Sequence, residues 1–414
     1  MKIASVRSYL MSCPLAQPVS FRFRGGEHTI VKRDAMFIRV ETESGLIGYA
    51  PGPASERAHR IMDEVVAPFL VGRTLADPDA LRVQFLQGPG TDAEAARVYC
   101  AAEIALYDIA GQARGVPVSE LLGGRVRDRV RVYGSTGSYL TPDAHCEEAA
   151  ALAETGFGAY KFSPAAGLED DLAAVQQIRE AAGPYFDLMV DAHTWWQMGD
   201  CNYSQEAIEE LAGALASNNI AWLEEPLPPD HHEGYLRLKE KDLIPLASGK
   251  LAPDEHTLLK LIATQAVDYV QMDVCLDGGY AKARRVFAEI ARQGLRFAFH
   301  SSGTALEAIA AAQLGVCWPA LVVEWLEYPC YHARGGAGAC PFPLATEILK
   351  EPLEIARGHL TVPRTPGLGV TVDLGVVERY PWIPGPWSYF RTDSPAETRP
   401  MTAERYGRWQ RRTA

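Results

Sequence analysis

The chain has 414 residues, 47% hydrophobic and 22% charged, a make-up that fits a globular protein with a large core in two domains or in one elaborated domain. A formal net charge of −12 argues against nucleic acid or an anionic membrane as partner. The eight cysteines stand singly with no CxxC pair, so neither a zinc site nor a disulfide framework is expected, and the reduced cytoplasm is the simplest compartment.

The first dozen residues lack an apolar run of signal-peptide length. The longest apolar window, Ile309 to Val323, is broken by Gln313 and Pro319 and is not read as a membrane span. Residues 1–50 are predicted to be β-rich, with strands at 36–42 and 45–50 around the Ser44-Gly45 turn. Residues 14–29, with Pro14, Pro18 and Gly25-Gly26, read as a mobile loop. Residues 55–85 look helical with breaks. A long helix follows from Asp92 to Arg114, with Val98, Ala102, Leu106 and Ile109 at three-to-four spacing, and Gly115 and Pro117 end it.

From Val130 the pattern becomes strand, helix, strand, helix. Strands are predicted at 130–133, 159–162, 187–191, 220–224, 244–247, 269–273, 296–300 and 321–324. Helices are predicted between them at 142–154, 168–182, 204–217, 230–240, 254–264, 278–293 and 303–315. Short apolar strands in repeated units of this kind predict a (β/α)7β-type TIM barrel behind an N-terminal α+β capping domain. A doubly wound open sheet would need a Gly-rich phosphate loop after an early strand, and none is present. The expected division is a cap over 1–128, a barrel over 129–358 and a C-terminal segment over 359–414 that returns to the cap. Residues 385–414, rich in Pro, Arg and Trp, read as an oligomer arm or a surface segment.

In such a barrel chemistry sits where strands end. Strand two ends at Lys161, with Ser163 beyond. Strand three gives Asp191 and His193, strand four Glu224 and Glu225, and strand five is followed by Ser248-Gly249-Lys250. Strands six, seven and eight give Asp273, His300 and Glu324. One charged strand end is ordinary; a run of them in register points to a shared site. Asp191 and Glu224 are hard oxygen donors on neighbouring strands and suit Mg²⁺. Asp273 beside His300 would orient the imidazole and raise its basicity, as a general base requires. Lys161 is placed as a second base or as a holder of a substrate carboxylate. His193 is placed to give a proton to a leaving group, with packing against Trp195 and Trp196 as its structural alternative.

These residues carry a resemblance. AAEIALYDIAGQARGVPVSELLGG (101–124), LMVDAH, WLEEPLPP, DYVQMDVCLDGG, FHSSGTALEA and TVPRTPGLGV resemble, in order, landmarks of the mandelate racemase subgroup of the enolase superfamily. The likeness runs over roughly residues 1–375. It implies that Asp191 and Glu224 bind Mg²⁺, that Asp273 and His300 form the general-base pair, and that Glu324 hydrogen-bonds a substrate carboxylate. The Asp-x-His at 191–193 is similar to acid-sugar dehydratases of the group, where the His helps a β-hydroxyl leave.

Two departures stand out. Lys161-Phe162-Ser163 replaces the group's Lys-x-Lys, and Lys250 stands where the third metal-ligand Glu is usual. A protonated Lys has no lone pair for a metal. Lys250 could be deprotonated, Glu225 or Asp254 could substitute, or the ammonium could bridge Asp191 and Glu224. The last is preferred, because two carboxylates facing an ammonium need no third anion. The expected activity is a lyase that dehydrates a sugar acid by removing the proton α to its carboxylate. A racemase or epimerase and a degenerate carboxylate-binding barrel are the alternatives. A small carboxylate substrate is expected, with specificity set by residues 14–29, Trp195 and Trp196, in a homo-oligomer.

Overall fold

In the computed structural model the described residues are 1–138, 140–329, 342–393 and 401–413. Cys330 and Cys340 lie outside them, as do 394–400 of the C-terminal segment. The other six cysteines are free thiols.

Eight parallel strands close a barrel: β4 (Arg129–Ser138), β5 (Ala159–Ser163), β6 (Asp187–Asp191), β7 (Ile220–Glu224), β8 (Leu246–Ser248), β9 (Tyr269–Met272), β10 (Arg296–Phe299) and β11 (Val323–Pro329). Pairing of β11 with β4 completes the ring. A helix follows each of the first seven strands, and the predicted barrel helices are observed to within two residues at each end. Their start signals act as expected. Ser204 accepts from the Ala207 N–H, and Asp254 accepts from the Thr257 N–H at 2.7 Å.

One apolar layer fills the barrel: Tyr133, Met189, Trp222, Tyr269 and Trp325 are interspersed with Ala159, Ala247 and Ala298. Large rings from some strands fit only because others contribute alanine. Side chains two residues further along each strand point the same way and form the next layer, at the C-terminal mouth.

Before the barrel lies an antiparallel sheet of β1 (Ile3–Phe23), β2 (Gly26–Thr42) and β3 (Ile47–Gly52). The long helix Ala93–Arg114 packs on β3, capped by Asp92 and ended by Gly115 in the left-handed region at φ 69°. Residues 14–29 are not a loose loop, which corrects the expectation above. They form the arms and tip of the β1–β2 hairpin, paired from Ile3 with Thr42 to Phe23 with Gly26. The prolines are accommodated by a register break between Pro14 and Val19. The partner that completes this region is remote in sequence: β14 (Ser388–Thr392) pairs with β2. Earlier in the C-terminal segment, β12 (Ile355–Ala356) pairs with β13 (His359–Thr361), which lies antiparallel to β4. The helix Ala403–Thr413 packs on the barrel instead, anchored by buried Tyr406, whose hydroxyl donates to the Tyr203 carbonyl at 2.6 Å.

The hairpin tip sits over the mouth of the barrel. Arg24 N–H donates to the Ala165 carbonyl at 2.8 Å, and Arg33 reaches the Ser302 carbonyl at 3.3 Å. No helix among the described residues is long and apolar enough to cross a membrane.

Candidate active site

The mouth is generated by adding two residues to the apolar layer. From Ala159 this gives Lys161, from Met189 Asp191, from Trp222 Glu224, from Tyr269 Gln271, from Ala298 His300 and from Trp325 Glu327. All but His300 are buried, and its side chain is only 22% exposed. Charges so far from water must satisfy one another.

They do so along an arc. His300 Nδ1 lies 3.3 Å from Asp273 Oδ2, and His300 Nε2 lies 3.9 Å from Glu327 Oε2. Glu327 Oε1 meets Lys161 Nζ at 3.2 Å, and Lys161 donates to Glu224 Oε1 at 2.9 Å. Lys250 Nζ donates both to that same Glu224 oxygen and to Asp191 Oδ2. His193 Nε2 lies 3.3 Å from Asp191 Oδ2 and closes the series. Two imidazoles thus stand at the two ends of one chain of ion pairs.

Burial alone would strip these charges, and the neighbours reverse it. Burial pushes the Asp191 carboxyl up, but His193 and Lys250 hold it well below the usual carboxylate range. Glu327 is likewise opposed by burial and held down to about 2 by Lys161, His300 and Lys250. Both lysines are kept charged against burial, Lys161 by Glu224, Glu327 and Asp191, and Lys250 by Asp191 and Glu224. Burial would lower His300, but Glu327 and Asp273 raise it.

Glu225 serves a different purpose. Its Oε1 accepts the N–H of Gly249 at 3.2 Å and of Leu251 at 3.1 Å, which fixes the loop that carries Lys250. Burial lifts its carboxyl to about 7. Asp254 is engaged as a helix cap. Neither stands in for a third metal ligand. His193 and Glu225 both hold backbone in the left-handed region, φ 48° and 40°, where non-glycine residues are strained.

The arrangement does not fit Mg²⁺. That ion takes near-octahedral oxygen ligands. Here an ammonium lies between the two carboxylates, and a second shares one of their oxygens. The other Glu224 oxygen accepts from Trp222 Nε1 at 2.9 Å and Gln271 Nε2 at 2.8 Å. Among the described residues no group of three or more His, Cys, Asp and Glu side chains is placed to hold a metal.

Of the residues expected from the sequence, Lys161, Asp191, His193, Glu224, Lys250, Asp273 and His300 converge. Ser163 is buried at the end of β5, two residues beyond Lys161. Trp195 is buried and donates its Nε1–H to the Glu225 carbonyl at 2.8 Å. The Trp196 ring lies 5.1 Å from that of His193 and 5.1 Å from Phe390. Outside these rings is a cavity of about 1170 Å³, walled also by Leu251, Arg405 and Arg408.

Glu324 does not join them. It lies at the opposite end of the barrel, with Tyr269 Oη and Arg296 Nη1 each at 2.9 Å and Arg131 Nη1 at 3.7 Å. Strand eight starts at Val323 and runs on to Pro329, beyond the predicted 321–324. The register against β10 slips at Glu324, since Phe297 faces Val323 and Ala298 faces Trp325. Glu327 therefore takes the place expected of Glu324. The sequence reading also passed over Gln271 and Trp222, each two residues before a strand-end carboxylate, and that spacing was the available signal.

Known proteins resemble this chain over most of its length. A model described as mandelate racemase / muconate lactonizing enzyme, N-terminal domain, matches residues 12–123, and one described as enolase C-terminal domain-like matches residues 144–376. D-galactarolactone cycloisomerase of Agrobacterium fabrum is 28% identical over 90% of this chain and 97% of its own. D-xylonate dehydratase of Haloferax volcanii is 28% identical over 83% and 85%. The crystal structure of 3,6-anhydro-D-galactonate cycloisomerase from Zobellia galactanivorans superposes with a TM-score of 0.78 at 26% identity, over 92% of this chain and 99% of that one.

Proposed function

From its membership in the mandelate racemase/muconate lactonizing enzyme group of the enolase superfamily, to which this chain belongs, we propose that it is a hydro-lyase that dehydrates a sugar acid. Relatives named as a sugar-acid dehydratase and a sugar-lactone cycloisomerase support that substrate class. The observation that carries the reading is the pair of imidazoles, each beside its own carboxylate, at the two ends of the ion-pair arc.

His300 is the base. Asp273 takes the Nδ1–H, which leaves the lone pair of Nε2 for the proton α to the substrate carboxylate. As that C–H bond breaks, its electron pair moves toward the carboxylate and builds an enediolate. The Lys250 ammonium lies in the mouth to stabilise the new charge. The pair then forms the Cα–Cβ double bond as the β C–O bond breaks. His193 gives the departing hydroxyl a proton, so water leaves. The enol product takes a proton at Cβ, gives up its hydroxyl proton and becomes a 2-keto-3-deoxy acid.

Lys161 weakens the racemase alternative. A racemase needs a second base on the other face, and the Lys161 ammonium is buried against Glu224 and Glu327 at 2.9 and 3.2 Å. Incubation with a panel of aldonates and aldarates is expected to yield a 2-keto-3-deoxy acid, read as its semicarbazone. Exchange of solvent deuterium into the α position without dehydration would support the epimerase instead. Binding with neither reaction would support the degenerate carboxylate-binding barrel.

A further inference from the structure

We infer that Lys250 is the built-in cation of this site, and that the chain binds an α-hydroxycarboxylate through Lys250 and Asp191 without a divalent metal. The inference rests on the proposed reading only for the class of ligand; the cation's identity stands on geometry alone.

Three features fix Lys250 where it is. The two N–H groups that flank it donate to Glu225, while its side chain donates to the neighbouring Glu224 and to Asp191. One Glu-Glu pair thus holds both the backbone and the head group. Gly249 permits the close approach that seats Lys250: its φ is 124°, and a Cβ there would lie 2.6 Å from the Gln271 carbonyl oxygen and from Leu258. The Lys250 side chain is also 7% exposed, so withdrawing the ammonium to admit a metal would leave a charge buried away from its partners.

What remains unsatisfied describes the ligand. An ammonium has three donors, and two of Lys250's are directed to Glu224 and Asp191. The third is left for an acceptor. Beside it, Asp191 Oδ1 is buried with no hydrogen-bond partner among the described residues, and a buried carboxylate oxygen is costly to leave so. One free donor and one free acceptor, side by side on an ion pair, match a carboxylate oxygen and an adjacent hydroxyl. The carboxylate accepts from Lys250 and the α-hydroxyl donates to Asp191 Oδ1. A simple carboxylate satisfies only half of the pair.

The test separates this from the proposed reaction. Protein purified in millimolar MgCl₂ and gel-filtered is assayed for metal by mass spectrometry, then titrated calorimetrically with MgCl₂ and with tartronate or malonate as probes. Expected are well under one metal per chain, no saturable Mg²⁺ binding, and tartronate binding that EDTA leaves unchanged and that exceeds malonate binding. Lys250→Met is expected to weaken tartronate about tenfold or more, as loss of a charge-assisted hydrogen bond does. Lys250→Glu is expected to gain saturable Mg²⁺ binding. About one Mg²⁺ per chain in the unsubstituted protein, or tartronate binding abolished by EDTA, would overturn the inference even if sugar acids are dehydrated. Metal-free tartronate binding without turnover of any sugar acid would uphold it while removing the proposed reaction. The wild-type measurements decide the matter if either variant does not fold.

Discussion

The two ends of the barrel carry the same kinds of residue and make different things of them. At the N-terminal end Arg131, Asp187, Arg296 and Glu324 pair as neighbours on a half-open surface, with Arg296 49% and Glu324 20% exposed. At the mouth Lys161 and Glu224 pair at 4% and 0% exposure, and one Glu224 oxygen serves two ammoniums. Exposed pairs are screened by water and contribute little. Buried pairs cannot be separated without stranding a charge, so the mouth is held as one unit. The comparison teaches that a charged strand end becomes a site only where burial forces its partners to be shared.

The sharpest way to break the comparison is to remove one carboxylate from each end. Glu224→Ala is expected to cost about 3–5 kcal/mol in urea unfolding, because it strands Lys161 and Lys250. Glu324→Ala at the other end is expected to cost about 1 kcal/mol or less. Equal losses would mean that the two ends do not differ as described.

Next in size is the base. His300→Asn is expected to lower kcat by about 10²–10⁴ with little change in unfolding midpoint, measured on whichever sugar acid is turned over. Glu327→Gln is expected to lower activity as well, since it removes a charge that both Lys161 and His300 face, whereas Glu324→Gln leaves it near wild type.

The smallest effect sharpens the contrast through pH. His300 is raised above its ordinary 6.5 by Glu327 and Asp273 against burial. A base must be neutral, so kcat/KM is expected to rise with pH through a value above 6.5. The sign for stability is opposite: the charged imidazole's contribution is full below pH 6.5 and is lost as pH rises through the folded value. Glu327, held down to about 2 from 4.5, contributes above pH 4.5 and loses its contribution as pH falls toward 2. Thermal unfolding across pH 2–9 for the wild type and His300→Asn checks both.

What the sequence alone determined was every feature governed by local period. Runs such as LMVD and AWLE, each followed by a capped amphipathic stretch, fixed the barrel and its helices, because burial on both faces demands continuous apolar strands. The family resemblance, not the period, pointed to Lys250, whose ammonium the structure puts on Asp191 and Glu224. Tertiary structure decided what depends on a remote partner. The Pro- and Gly-bearing arms at 14–29 are strand because β2 also pairs with residues 388–392, more than 350 positions further on. In strand eight the choice between Glu324 and Glu327 turned on how far the strand runs, Val323 to Pro329, and on one slipped residue against β10. A period of two reports which residues share a face, but only the neighbouring strand sets where the count begins.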